Sequence, residues 1–192
     1  MTKTIYLVRH GQTLFNFRHK TQGRVDSPLT ELGQKQALAA RKFFEENGIK
    51  FERAFTSTQE RANDTLELIT SSSLPYTRLK NLREKDYGIY EGQDEFLLPW
   101  NRGLERDFEP TMEKDEEVVA RMEKGMQEVF NQSEDGETIL VVGHGDILGQ
   151  YVRKHNENVD FTGFKNCAFV KLKEENGKIK IEDTGWPAKN IQ

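Results

Sequence analysis

The sequence predicts an α/β fold: one domain, a three-layer sandwich with a mostly parallel central sheet flanked by helices. Three observations predict it. Short β-prone apolar runs at Ile5–Val8, Phe51–Thr56 and Thr138–Val142 alternate along the chain with segments of helical spacing. The run Thr138–Val142 is almost wholly apolar, as a strand covered on both faces should be. Each run also ends on polar or ionic residues where a core strand would simply turn: Arg9-His10, Thr56-Ser57 leading to Arg61, and Gly143-His144. In an open parallel sheet that edge is where ligands bind.

In chain order, the first strand stops on Arg9-His10-Gly11, where Gly11 is expected to turn the backbone sharply beside a ligand. Phe17 to Asp26 has no periodicity and reads as a loop. Thr30 is a helix N-cap, and Leu32, Ala37, Leu38, Ala40 and Phe44 recur at helical spacing up to a stop at Asn47-Gly48. A second helix is expected over Thr58–Thr70, with Ala62, Thr65, Leu66 and Ile69 inward, followed by a short strand at Tyr76–Leu79. From Asn81 to Asp115 the pattern breaks into aromatics punctuated by Gly and Pro, too aromatic for disorder. The stretch from about residue 85 to 115 is therefore expected as an irregular insert over the site, with a short helix inside it. Glu116–Asn131 reads as a third long helix carrying the apolar residues Val119, Met122, Met126, Val129 and Phe130, and Ile147–Arg153 as a fourth. Alternating segments Cys167–Lys173 and Lys178–Asp183 around Asn176-Gly177 predict a hairpin, with Cys167 a buried strand residue. No repeat or linker interrupts residues 1–192, so a single domain is expected.

Composition narrows the function. Charged residues are 31% of the 192, hydrophobic ones 35%, and no apolar run approaches the ~20 residues of a membrane span. The chain enters a strand at once, so no signal peptide is expected. Cys167 is the only cysteine, which excludes an intrachain disulfide and a Cys-based metal cluster and favours a reducing, cytoplasmic setting. A net charge of −4 speaks against nucleic acid as partner, and neither a membrane nor a metal is called for. The four histidines show no metal-ligand spacing. The run Gly143–Gly149 only partly resembles a dinucleotide fingerprint, with Leu148 out of pattern.

If the strand ends are neighbours, they gather His10, His144, Arg9, Arg61, Asn16, hydroxyls and helix N-termini at one place, a site for a doubly charged oxyanion. A neutral imidazole is a good nucleophile near pH 7. His10 could attack phosphorus to form a phosphohistidine, with Arg9, Arg61 and His144 stabilising the equatorial charge. Glu84, which follows the third strand, is the acid placed to protonate the leaving alkoxide. This scheme needs no metal or other cofactor.

Four ordered blocks resemble the histidine phosphatase superfamily, the phosphoglycerate mutase-like proteins. They are Arg9-His10-Gly11-Gln12-Thr13 with Asn16; Thr56-Ser57 with Arg61-Ala62; Leu82-Arg83-Glu84 with Gly88 and Glu91-Gly92; and Val142-Gly143-His144-Gly145. The resemblance implies a phosphoglycerate mutase-like fold, a His10 nucleophile, a Glu84 proton donor, and Arg9, Arg61 and His144 around the phosphoryl group. It further implies phosphate or substrate contacts at Asn16, Gln22, Gly23 and Gly145, and no metal cofactor. Gly143 stands where many members carry Ser, and Asp146 where others carry Gly or Asn; Asp146 would make His144 easier to protonate if the two approach. The short, net acidic insert favours a phosphatase acting on a small phosphorylated metabolite over a cofactor-dependent phosphoglycerate mutase. A non-catalytic phosphate-binding module is the reading from another class, disfavoured by the intact pair of His10 and Glu84. Phe15, Phe17, Phe96 and Trp100 are candidates for an apolar wall on the leaving-group side.

Overall fold

In the computed structural model, residues 2–156 and 163–191 are described. The chain runs β1 (Thr2–Arg9), α1 (Leu14–Phe17), α2 (Glu31–Glu46), β2 (Arg53–Ser57), α3 (Glu60–Thr70), β3 (Tyr76–Leu79), α4 (Asp115–Asn131), β4 (Thr138–Gly143), α5 (Gly145–Lys154), β5 (Phe169–Glu175) and β6 (Lys178–Gly185). The six strands form one sheet in the order β3-β2-β4-β1-β5-β6. β3, β2, β4 and β1 are parallel, and β5 and β6 complete the sheet antiparallel to their neighbours.

The strand residues divide between two apolar layers because successive side chains point to opposite faces. Ile5, Leu7, Ile139 and Val141 pack with Met122, Met126, Leu148 and Val152 of α4 and α5. Tyr6, Val8, Leu140 and Val142 pack with Ala37, Phe44, Ala62 and Leu66 of α2 and α3. Each fully buried Val, Leu or Ile contributes roughly 1.5–3 kcal/mol. The fold is thus a single α/β domain of three layers, as expected.

Local signals act where the sequence suggests. Thr30 caps α2, accepting from the Gly33 amide at 3.0 Å. Asn176 and Gly177 have φ of 53° and 79°, which suits the twist of a two-residue hairpin turn. One expectation is sharpened and two are corrected. The inward valine of α4 is Val118, fully buried, and not Val119, because the stripe 118, 122, 126, 129 centres on the core and position 119 is rotated about 100° from it. Cys167 is buried but precedes β5, in a left-handed conformation (φ 56°), with its amide on the Arg9 carbonyl at 3.0 Å. Burial pushes its thiol up to about 12. Gly11 has no left-handed φ; a Cβ there would collide with the Gly33 carbonyl, so it serves the close approach of α2 and not a sharp turn.

The stretch expected to hold one short helix contains three single-turn 3-10 helices, Gly88–Tyr90, Glu95–Leu97 and Pro99–Arg102, and a fourth, Lys80–Leu82, precedes it. Arg121 of α4 anchors its start and end together. It donates to the carbonyls of Asn81 (3.0 Å) and Arg83 (2.7 Å) and to the Glu113 carboxylate (2.7 Å).

Candidate active site

The β1–β4 register pairs Arg9 with Gly143, so the residues that follow leave the sheet side by side. The His10 amide donates to the Gly143 carbonyl at 3.0 Å, and Asn166 Nδ2 donates to the His10 carbonyl at 3.0 Å. The His10 and His144 rings lie 5.3 Å apart between centroids. His10 Nδ1 is 2.7 Å from the Gly11 carbonyl. A carbonyl only accepts, so this contact places the ring proton on Nδ1 and leaves Nε2 with its lone pair. Burial first, then Arg61 and Arg9, holds His10 well below the ordinary imidazole range. His144 is held down in the same way, by burial and then Arg61, His10 and Arg9. Its Nε2 is 2.7 Å from Ser57 Oγ at the end of β2, and its buried Nδ1 has no partner among the described residues.

Arg61 on α3 is 1% exposed. Its Nη1 donates to the Val25 carbonyl (2.9 Å) and Asp26 Oδ1 (2.8 Å), and its Nη2 to the Gly23 carbonyl (2.8 Å). Gly23 has φ +55°, with Tyr87 and Glu91 packed where a Cβ would project. Gln22 fits with its amide nitrogen toward Thr13 Oγ1 (2.6 Å) and its oxygen toward the Arg61 guanidinium (3.0 Å). Arg9 Nη1 donates to the Phe164 carbonyl at 2.8 Å, and its buried Nε has no partner among the described residues. A Cβ on Gly145 would stand 3.2 Å from that Nε, so Gly145 lies against Arg9.

Glu84 enters from the irregular segment. Gln59 Oε1 accepts its amide (2.8 Å), and its own carboxylate accepts the amides of Lys85 (2.9 Å), Asp146 (3.0 Å) and Ile147 (2.9 Å), the latter two from the first turn of α5. Burial and, second, the Asp146 carboxylate raise the Glu84 carboxyl above its ordinary range against the pull of those amides. Asp146 is held by Arg106 Nη2 (2.7 Å), the Tyr87 hydroxyl (2.9 Å) and Gln150 (3.0 Å). Arg106 lies over the Trp100 ring at 4.5 Å and also pairs with Asp115, which pairs with the fully buried Lys85. Asp146 therefore does not ease protonation of His144; its field acts on Glu84.

Arg9, His10, Asn16, Gln22, Gly23, Arg61 and Glu84 all line one cavity of about 100 Å³. His144 and Gly145 are not in its lining, but they lie next to His10 and Arg9 respectively. A larger groove of about 620 Å³, between Arg24 and Lys124, contains none of these side chains. Among the described residues no group of three or more His, Cys, Asp or Glu is placed to hold a metal ion, and no helix is long and apolar enough to cross a membrane.

The family model of the histidine phosphatase superfamily (branch 1) matches residues 5–187. The chain belongs to this superfamily. The uncharacterized phosphatase PhoE of Bacillus subtilis (strain 168) is 32% identical over 145 residues, covering 73% of this chain and 71% of its own. The 2,3-bisphosphoglycerate-dependent phosphoglycerate mutase of Rhizobium meliloti (strain 1021) is 34% identical over 166 residues, covering 79% of each. The crystal structure of phosphoglycerate mutase from Bacillus anthracis (strain Sterne) superposes with a TM-score of 0.85 at 25% identity, over 94% of this chain and 92% of that one. The chain is thus an enzyme of a superfamily whose members are phosphatases and mutases, and its fold is phosphoglycerate mutase-like.

The superfamily match runs from β1 to the end of β6, yet the apolar wall that the sequence suggests does not line the cavity. Phe17 and Phe96 are both 64% exposed and Phe15 and Trp100 do not line the cavity; Trp100 instead carries Arg106. The rest of the lining is Lys20, Thr21, Tyr87, Glu95 and Leu98. None of these stands at a strand end, so no pattern marks them. Ser57, the partner of His144, did carry such a signal, since it closes a strand that points at the site.

Proposed function

We propose that the protein is a phosphomonoester phosphatase that works through a phosphohistidine at His10 on a small phosphorylated metabolite. The observation that carries this reading is the His10 ring: neutral, with its proton fixed on Nδ1, and its Nε2 free at a cavity that Glu84 shares. In the first step Nε2 forms a bond to phosphorus as the P–O ester bond breaks, and Glu84 gives its proton to the departing oxygen. In the second step the Glu84 carboxylate takes a proton from water, water oxygen bonds to phosphorus, and the N–P bond breaks to release phosphate. Arg9, Arg61 and the free Nδ1 face of His144 stabilise the charge on the transferring group. Asn16, Gln22 and Gly23 shape the cavity, and Gly145 leaves room for Arg9.

The charge inventory supports hydrolysis over mutase chemistry, which must also hold a second anionic group. Outside the phosphoryl-facing arginines the cavity offers Lys20, whose Nζ is 2.7 Å from Asp94. Lys85 and Arg106 are taken up by Asp115 and Asp146. The mutase reading keeps support from the Rhizobium meliloti relative at 34% identity.

Phosphate release from p-nitrophenyl phosphate with and without chelator, with labelling of His10 trapped in alkaline denaturant, tests the proposal. Chelator-resistant turnover with label on His10 is expected. Label on another side chain, or no turnover across several esters, overturns it in favour of another mechanism or a phosphate-binding module. Isomerisation of 3-phosphoglycerate faster than phosphate release, with 2,3-bisphosphoglycerate present, makes it a mutase.

A further inference from the structure

The phosphatase reading says nothing of the alcohol that leaves, and the inference here rests on that reading. The leaving-group side of the cavity is unusual in its polarity. Thr21 is 3% exposed, and its backbone is fixed to the 92–93 turn by hydrogen bonds of 2.8 Å on both sides. Its Oγ1 is buried and finds no partner among the described residues. Glu95 lines the same cavity; its amide is fixed on the His19 carbonyl at 2.9 Å. The side-chain cation nearest its carboxylate among the described pairs is the His19 ring, 3.9 Å away and 86% exposed. That contact is long and open to solvent, which screens it. Lys20, the other cation on this side, is neutralised by Asp94 at 2.7 Å. Tyr87 gives its hydroxyl proton to Asp146, so toward the cavity it can only accept.

This side therefore holds a carboxylate, a phenolic oxygen and a buried hydroxyl unpartnered among the described residues, and the cation that acts on Glu95 from within the cavity is Arg9. Beside it stand two arginines for the phosphoryl group. The arrangement is bipolar: positive where phosphate binds, negative beyond it. We propose that the Glu95–Thr21 side selects a leaving alcohol that carries an ammonium group close to the ester oxygen, and rejects one that carries a carboxylate. The ammonium would donate to Glu95 and Thr21 Oγ1; a carboxylate there would face Glu95 while Arg9, the cation nearby, is taken up by the phosphoryl group.

O-phosphorylethanolamine and phosphoglycolate are probes of similar size and opposite terminal charge. Wild-type kcat/KM should favour O-phosphorylethanolamine by at least ~10-fold, the factor given by one charge contact of about 1.4 kcal/mol. Glu95→Lys should reverse the order, and Glu95→Gln should reduce the ratio toward one. Thr21→Val should lower kcat/KM for O-phosphorylethanolamine more than for phosphoglycolate. Equal or better turnover of phosphoglycolate by the wild type overturns the proposal, as does a ratio that Glu95→Lys leaves unchanged. Turnover of p-nitrophenyl phosphate by the wild type distinguishes this failure from failure of the phosphatase reading, which would remove hydrolysis of every ester.

Discussion

The two halves of the site are built by different means. His10, His144 and Arg61 stand at the ends of β1, β4 and β2 or one turn beyond, so the backbone ladder of the central sheet fixes them relative to one another. Glu84, Tyr87 and Glu95 come from a segment of single 3-10 turns, held by Arg106, Lys85 and Arg121 through carboxylates and carbonyls. The half proposed to hold the phosphoryl group is rigid because its geometry is that of the core. The half proposed to face the leaving group is held by side-chain pairs outside the sheet. On the proposed mechanism the nucleophile belongs to the first half, and the proton donor and the leaving-group contacts to the second.

Substitutions can break or sharpen that contrast. His10→Ala should lower turnover of every ester on the order of 10⁴-fold or more and abolish the alkali-stable, acid-labile label, since no neighbouring side chain replaces the nucleophile. Residual label on another residue would assign the chemistry elsewhere. Glu84→Gln should cost ~10²–10⁴-fold on alkyl phosphates and much less on p-nitrophenyl phosphate, whose leaving group needs no proton. Equal losses on both would remove Glu84 as the acid. Asp146→Asn acts through Glu84 without touching the cavity. Removing that negative charge lets Glu84 ionise more readily, so the basic limb of the pH–rate profile should move to lower pH, with the acid limb unmoved. A shift of both limbs, or of neither, would separate Asp146 from the proton donor.

Stability carries the same signature. His10 and His144 are held below the ordinary range, so the unfolded chain takes up their protons first as pH falls below about 6.5, and the fold loses stability there. Each contributes up to about 1.4 kcal/mol per pH unit. Glu84, raised in the fold, works in the opposite sense over its own range. The histidine part is therefore read as the difference between wild type and His144→Gln in denaturant titrations at pH 7.5 and 5.5, where the variant should lose less. The smallest effect is expected for Phe96→Ala: within about 0.5 kcal/mol of wild-type stability, because the ring is exposed and lines no part of the cavity. A large loss of turnover would restore it as part of the substrate wall.

The same contrast explains what was legible in the sequence. β1, β4, α2 and the terminal hairpin follow from periodicity, the Thr30 cap and Asn176-Gly177, all of which act over a few residues. The positions of His10, Arg61, Glu84 and His144 could be placed because three of them follow strands. The segment from 80 to 114 could not be read, since its path depends on pairs far apart in sequence, such as Lys85 with Asp115 and Arg106 with Asp146. Asp146 shows the cost. From sequence its nearest candidate partner was His144, two residues away, but the first turn of α5 points it at Arg106 and Tyr87, leaving its amide to Glu84.

Cys167 gives the rigid half a built-in reporter. Its sulfur is sealed between β1 and the start of β5, and its high pKa leaves almost no thiolate at neutral pH. Alkylating reagents should reach it only when the strand edge next to Arg9 comes apart. Modification kinetics at this lone sulfhydryl would then clock the opening of the sheet itself, with the outer segment free to fluctuate unseen.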